Sequence, residues 1–264
     1  MKKLALLALL ALPLSAQPCV VGGPVTTARA SGDLGAQIVS LGDGWTGYAI
    51  PTDRRHITTC SDWGGSSGDS INISDDDDLP VAGNGTLSLF FRVSGGRIER
   101  LRLHSADCTL DANGAPIHWI EGVQPASSER FLRSLVDSSK VRDRVSKHAI
   151  TALALQAGTT DTLIDLARHH ASSEVRGQSL FWLSQRAGEK AAAALRDAVD
   201  NDPEEHIREK AVFAISQLPN DRSVPLLIEL MKTHRSKGVR RKAAFWLGQK
   251  DDPRALEALA DILR

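Results

Sequence analysis

The chain has 264 residues with 32 basic and 32 acidic side chains, so its formal net charge is zero. Hydrophobic residues make up 42% and charged residues 24%, which is typical of a folded soluble chain and argues against intrinsic disorder or a bundle of membrane helices. The charge balance also argues against a dedicated nucleic-acid binder, which needs excess cations to neutralise phosphates, and three cysteines are too few for a disulfide-dense miniature scaffold.

Residues 1–16 have the pattern of a secretory signal peptide. Basic Lys2 and Lys3 precede an apolar run over residues 4–12, and small residues up to Ala16 offer a cleavage site. The run is shorter than the roughly 20 residues that a permanent membrane anchor needs. We therefore expect cleavage near Ala16, a periplasmic or secreted location, and no membrane insertion of the mature chain.

The rest of the chain changes composition near residue 125. Residues 17–125 carry 7 arginines, no lysine and 13 acids, a net charge of −6, and they are rich in glycine and turn dipeptides. Residues 126–264 carry 23 bases and 19 acids, a net charge of +4, with a helical alternation of alanine and leucine. This shift predicts an α+β protein of two domains, a small antiparallel β module over 17–125 and an α-helical part over 126–264.

The β module contains two hairpin signals. Apolar and polar residues alternate over 87–93 and again over 97–104, and Gly95-Gly96 between them can take the positive φ angles of a tight turn. Asn113-Gly114 predicts a second hairpin, between residues 108–110 and 116–120. Further strands are predicted at residues 37–41, 45–50 and 56–60.

Two cysteines of the β module are candidates for a disulfide. Cys60 and Cys108 both lie in it, and an exported chain meets an oxidising compartment. Free thiols are one alternative. A zinc site formed with His56 and His104 is another, although four residues along a strand span about 13 Å, too far for one ion without a bend. Cys19, near the new terminus, is left over.

The helical part contains a repeat with a period of 32 residues. Val175-Arg176, Ile207-Arg208 and Val239-Arg240 each precede a small residue and then an apolar group, and a weaker copy begins at Val145 with Ser146 in the arginine position. The apolar spacing lines one helix face, and a second amphipathic helix follows in each unit. A single helix pair cannot bury its apolar stripe, so we expect neighbouring pairs to stack.

Over residues 141–264 this pattern resembles the HEAT-like repeats of the phycobilisome-lyase type. Residues 45–51, 108–111 and 117–123 of the β module are similar to the N-terminal part of exported bacterial HEAT-repeat proteins without an assigned activity. The resemblance implies an α-solenoid of about four helix pairs and binding to proteins. Ser127 with Glu129 in the first turn predicts the N-cap of a further helix, which would cap the solenoid where the β module meets it. Some members of the repeat family act on bilins and one branch carries iron through His-Glu dipeptides; no such dipeptide occurs here, and we predict no catalytic residue, cofactor or metal.

The recurring arginines and tryptophans are the candidate binding residues. Each arginine has two interpretations, a structural pair with an acid such as Asp143, Asp202 or Glu174, or contact with a ligand, because its guanidinium fork suits carboxylates. The tryptophans are either core residues or interface anchors. The candidates are Arg176, Arg208, Arg240, Arg241, Lys242, Trp182 and Trp246.

Together these patterns predict an exported, non-enzymatic interaction protein whose solenoid binds a protein or peptide of the cell envelope. One rival is a lyase-like envelope enzyme or enzyme subunit, which a cleft joining His104 and His118 to an acid such as Asp107 or Glu121 would support. The other is a purely structural envelope protein. No polar capping repeat ends the array. We therefore expect its last helix pair to be covered by the β module or by a second copy in a homodimer.

Overall fold

The computed structural model describes residues 20–54, 56–59, 72–74, 85–105, 108, 110–138, 143–186 and 188–262. The expected signal peptide, Cys19, Cys60 and Asp107 lie outside these residues. None of the helices in the described ranges is long and apolar enough to cross a membrane.

Residues 20–121 form a small module of strands with one short helix. Its elements are β1 (Val20–Val21), β2 (Val25–Arg29), α1 (Leu34–Ser40), β3 (Gly44–Pro51), β4 (His56–Thr58), β5 (Asn72–Ser74), β6 (Thr86–Ser94), β7 (Arg97–Ser105), β8 (Leu110–Asp111) and β9 (Ile117–Glu121). Five strands form one sheet in the order β2–β9–β3–β6–β7, while β1 pairs with β8 and β4 pairs with β5.

The hairpin predicted at Gly95-Gly96 is confirmed. Strands β6 and β7 pair antiparallel on either side of these glycines, whose φ angles are 55° and 70°. This left-handed backbone carries no steric penalty in glycine, so the turn fixes the pairing of its flanking strands.

Two other predictions for the β module are wrong. The main sheet is mixed rather than antiparallel, because β9 pairs parallel with both β2 and β3. Asn113 and Gly114 do turn the chain, with φ angles of 47° and 81°, yet β8 pairs with β1 instead of β9. A turn dictates only the local reversal, and here long-range partners decide the pairing.

The strand predicted at residues 37–41 is also wrong, because this segment lies in and just after helix α1. Asp33 caps the helix by accepting a hydrogen bond from the Ala36 amide at 2.8 Å. Leu34 and Ile38, one helical turn apart, are both buried in the core. The short apolar window fits either period, and the cap decides in favour of the helix.

The remaining chain is a stack of helix pairs. Its helices are α2 (Pro125–Asp137), α3 (Asp143–Leu155), α4 (Thr160–His169), α5 (Ser173–Ser184), α6 (Glu189–Asn201), α7 (Glu205–Ser216), α8 (Asn220–Thr233), α9 (Lys237–Leu247) and α10 (Pro253–Ile262). By their packing these helices form four pairs, α2/α3, α4/α5, α6/α7 and α8/α9, followed by α10, so the predicted solenoid of about four pairs is confirmed. The helix predicted to open near Ser127 is α2, which begins at Pro125 and packs on α3 as a member of the first pair.

The helices alternate between two layers. Helices α3, α5, α7 and α9 form the inner layer, and α2, α4, α6, α8 and α10 form the outer layer. Successive inner helices approach one another more closely along the stack than successive outer helices do. The stack therefore curves with the inner layer on its concave side.

The sheet covers the first end of this stack. Phe91 on β6 lies between Tyr48 on β3 and Phe131 on α2, with ring-centroid distances of 5.6 and 5.2 Å. The Tyr48 hydroxyl lies 3.1 Å from the Ser128 hydroxyl, which donates to the Gln156 side-chain oxygen at 2.8 Å. One continuous hydrophobic core thus runs from the sheet through every helix pair.

Two arginines brace the module against the second helix pair. Arg54, which follows β3, donates to the Gln185 carbonyl at 2.6 Å. Buried Arg186 donates to the Ala154 carbonyl at 2.7 Å and lies 3.6 Å from the Asp53 carboxylate. Burial lowers the pKa of Arg186 from its usual value, and the surrounding acceptors hold the charged side chain in place.

The sheet packs against α3, at the opposite end of the stack from α10. The expectation that this chain's own β module covers the last helix pair is therefore wrong. Leu256 on α10 is 69% exposed, and a second copy stays the prediction for what covers it.

Candidate functional site

Aromatic side chains line the inner layer. Phe181, Phe213 and Phe245 occupy the same position of α5, α7 and α9, 32 residues apart, and Trp182 and Trp246 stand beside two of them. Phe181 is 41% and Phe245 56% exposed, whereas the other three rings are half-buried. We call these five residues the aromatic face.

The rings of the aromatic face support one another. Trp246 packs against Phe213 and Phe245, with centroid distances of 4.9 and 5.0 Å, and Trp182 packs edge-on against Phe181 at 5.4 Å. Such pairs favour fixed tilted or edge-on geometries. The aromatic face is therefore held in shape before any partner arrives.

A pocket of about 260 Å³ opens between α5 and α7. Its floor includes Gly177, where an added Cβ would lie 3.0 Å from the Lys210 side chain. The absence of a side chain at Gly177 leaves room for the Lys210 stem to cross the groove. The pocket is lined by Gly177, Gln178, Phe181, Trp182, Lys210 and Phe213.

A row of long polar side chains runs beside the aromatic face. Gln178, Lys210 and Lys242 repeat at the 32-residue period, and each lies three residues before a phenylalanine, which is one turn away on the same helix side. Lys210 lies 3.7 Å from Glu174, and Lys242 lies 3.7 Å from Glu209. Exposed pairs of this kind contribute about 0–1 kcal/mol, so the lysines can exchange partners at small cost.

Arg176 is a structural residue by its geometry. It is 5% exposed, its Nε donates to Asp202 at 2.8 Å, and its Nη2 donates to Glu204 at 2.9 Å. The hydrogen bond to Asp202 raises the pKa of Arg176 above its usual value. Of the two interpretations open from the sequence, these contacts favour the pair with Asp202.

Arg208 and Arg240 repeat the backbone part of this arrangement. Each donates through Nη1 to the carbonyl six residues earlier, Arg208 to Asp202 and Arg240 to His234, both at 2.7 Å. These carbonyls lie at the end of the preceding outer helix, where a cation satisfies unpaired acceptors and the helix dipole. Arg241 is exposed on α9.

Cys108 is buried beside the chain segment that leads to Cys60. Its Sγ lies 3.3 Å from the carbonyl oxygen of Thr59, the residue before Cys60. Cys60 itself lies outside the described residues, so the Cys60–Cys108 disulfide stays a prediction.

The two histidines of the rival enzymatic interpretation lie apart. His104 is on β7, buried edge-on against Phe90 at 5.8 Å, and His118 is on β9, with Nδ1 2.8 Å from the Thr26 hydroxyl. Two strands separate β7 from β9, a distance of about 14 Å. Within the described ranges, no three His, Cys, Asp or Glu side chains are grouped so that they could hold a metal ion.

Trp182 and Trp246 are predicted binding residues, whereas the phenylalanines beside them are not among the candidates from the sequence. The available signal was the recurrence of the same ring at residues 181, 213 and 245, directly after the buried positions Leu180, Val212 and half-buried Ala244. An aromatic residue repeated at a position next to the core stripe indicates a surface feature rather than packing.

Comparisons with known proteins agree with this architecture. Residues 160–241 match HEAT repeats, and residues 239–264 match the PBS lyase HEAT-like repeat. No curated protein matches the chain. Residues 160–264 are therefore similar to HEAT-like repeats.

Proposed function

We propose that this protein is an exported, non-enzymatic scaffold that binds a protein or peptide of the cell envelope on the inner layer of its HEAT-like array. The observation that carries the proposal is the aromatic face, which repeats in step with three successive inner helices. Stacked repeats present a long continuous surface of this kind, and interaction is its common use.

The exposure of the aromatic rings supports a binding role. Burying an exposed ring against a partner contributes about 25 cal/mol of binding free energy for each Å² of apolar area removed from water. Phe181 and Phe245 lie on the same concave surface, two repeats apart with Phe213 between them, and such anchors carry most of the affinity of an interface. By contrast, exposed positions on outer helices α6 and α8 include charged Glu189, Lys190 and Glu229.

Site-specific photo-cross-linking tests this proposal. A photoreactive phenylalanine analogue replaces Phe213, and a matched control carries it at Ala193, an exposed residue of outer helix α6. In cells that naturally make the protein, we expect a discrete protein adduct from position 213 and none from position 193. Equal labelling at the two positions, or no adduct at position 213, contradicts the proposal.

The export part of the proposal rests on residues 1–16 and on the expected disulfide. The Cys108 sulfur lies 3.3 Å from the carbonyl oxygen of Thr59, the residue before Cys60, and this contact supports the proposed pair. Closing a loop of this length contributes about 4 kcal/mol at most in the chain-entropy model.

Mass spectrometry and thiol titration test export. We expect the mature chain to begin at Gln17 and to show one reactive thiol in denaturant before reduction and three afterwards. An uncleaved chain, or three thiols without reduction, contradicts this part of the proposal.

A further inference from the structure

The aromatic face fixes the spacing of any ligand that uses all of it. Phe181, Phe213 and Phe245 are equivalent positions on successive inner helices, and packed helices lie about 8–10 Å apart. Anchoring rings therefore recur at about that interval along a line that crosses the helices. A ligand on this line must present apolar groups at the same interval.

A polyproline II segment has the matching repeat. It has three residues per turn and rises about 3.1 Å per residue, so every third side chain returns to one face after about 9.3 Å. A β-strand presents one face every second residue, after about 6.7 Å. An amphipathic helix presents anchors at i, i+3, i+4 and i+7, so they are more closely spaced. This surface instead has one phenylalanine position on each inner helix, at intervals of about 8–10 Å.

The pocket between α5 and α7 suits one ring of such a segment. Its volume is about 260 Å³, and Phe181, Trp182 and Phe213 form its aromatic walls. Beyond Phe213, the Trp246 ring lies between Phe213, tilted at 47°, and Phe245, edge-on at 80°, and so continues the row of aromatic rings. Grooves lined by aromatic rings are the usual docking site of proline-rich segments.

The polar row beside the rings supplies donors at the same period. Gln178, Lys210 and Lys242 stand one helical turn from the three phenylalanines. A polyproline II backbone makes no internal hydrogen bonds, so all its carbonyls are free to accept. One donor per repeat fits one carbonyl per turn of the ligand.

The charge of α9 sets the orientation of the ligand. Lys237, Arg240, Arg241 and Lys242 lie on this helix, which contains no acidic residue. Helix α5 carries Glu174 together with Arg176. Complementary charge favours a ligand with acidic residues at the end that lies over α9.

Building on the proposed function, we propose that the aromatic face binds an extended proline-rich segment in the polyproline II conformation, with prolines at every third position and acidic residues at its α9 end. The segment crosses α5, α7 and α9. Its prolines pack on the rings, and its carbonyls accept from the polar row.

Synthetic peptides and the purified full chain test the inference. The test peptide is labelled, carries three prolines at every third position and has an acidic block at one terminus; it is made in both polarities. The control peptide has the same composition but carries its prolines at every second position. Fluorescence anisotropy measures the affinity of each peptide for the protein. We expect one polarity of the period-three peptide to bind at least about 10-fold more tightly. Replacing its acidic block by lysines weakens binding at least about fivefold, and added salt reduces that difference.

Protein variants place the binding on the aromatic face. Phe213→Ala lowers the affinity for the period-three peptide at least about 10-fold, whereas Val25→Ala, at an exposed residue of β2, leaves it unchanged. Equal binding of the period-three and period-two peptides, or an unchanged affinity in Phe213→Ala, overturns the inference. An amphipathic helical peptide that binds better also overturns it. Adducts at position 213 would still support the proposed scaffold role in each of these cases, so the two failures are distinguishable.

Discussion

The two ends of the helix stack differ in what covers them. At the first end, the sheet covers α2 and α3, and Phe91, Tyr48 and Phe131 merge the two parts into one core. At the other end, Phe245 on α9 and Leu256 on α10 are open to solvent. A repeat array needs a cap because each unit hides the apolar stripe of its neighbour. The β module is thus the cap of the first end.

The largest expected effect comes from the same substitution at the two ends. Phe91→Ala removes a buried ring from the shared core and lowers the free energy of unfolding by about 3–5 kcal/mol. Phe245→Ala at the open end changes it by less than about 0.5 kcal/mol. Urea denaturation measures both, with circular dichroism following the helices. Loss of the sheet in Phe91→Ala while the helices keep full stability would show that the ends are independent units.

The second largest effect is the difference in stability lost when buried Arg176 and its repeat equivalent Arg208 are each replaced. Arg176→Met leaves the Asp202 carboxylate buried without its main cation and lowers the free energy of unfolding by about 2–4 kcal/mol. Arg208→Met removes hydrogen bonds to two carbonyls and costs about 1 kcal/mol. Thermal and urea denaturation of the two variants give the difference. Equal losses would mean that the Asp202 pair adds nothing beyond the shared carbonyl contacts.

The junction between sheet and helices also predicts a pH dependence. Burial raises the pKa of Tyr48 above its ordinary value of 10.0, and the Ser128 hydrogen bond only partly offsets this. Above about pH 10 the unfolded chain therefore loses a proton that the folded chain keeps. Stability falls as the pH rises, by up to about 1.4 kcal/mol per pH unit, and is fully present at lower pH.

Tyr48 is the chain's only tyrosine, so its ionisation can be followed directly. Tyrosinate absorbance should appear together with unfolding rather than near pH 10 in the folded protein. The extra slope, taken as the difference from Tyr48→Phe, isolates this group from lysines that titrate in the same range. A tyrosinate signal near pH 10 with intact helical circular dichroism contradicts the prediction.

The smallest expected effect compares the caps of two inner helices. Ser236 at the start of α9 accepts the Val239 amide at 3.3 Å, whereas Ser172 at the start of α5 makes no capping hydrogen bond. Ser236→Ala should lower the free energy of unfolding by about 0.5–1 kcal/mol and Ser172→Ala by nearly nothing. Urea titrations measured side by side resolve the two. A larger loss in Ser172→Ala would refute the assignment of the cap.

Part of the binding surface could be read from the sequence. The sequence identifies Trp182 and Trp246 as candidates because they are large residues in a repeating unit. It identifies Arg176 because an arginine recurs at the same position of each repeat. Their roles could not be separated there, because recurrence reports a shared position in each repeat and not the direction in which a side chain points. Only the packing of α5 against its neighbours buries Arg176 with Asp202 and leaves Phe181 in solvent.

The sequence by itself determined the helical array, since its 3.6-residue apolar period and its 32-residue repeat are both local signals that each helix pair carries. It also determined the β6–β7 hairpin, where two glycines dictate the turn. Only the tertiary structure decided that β9 lies parallel to β2 and β3, that α1 is a helix, and that the sheet covers the first end of the stack. Those features depend on contacts between residues far apart in the chain. In such contacts, packing against the neighbouring strand or helix outweighs the secondary-structure preference of the local sequence.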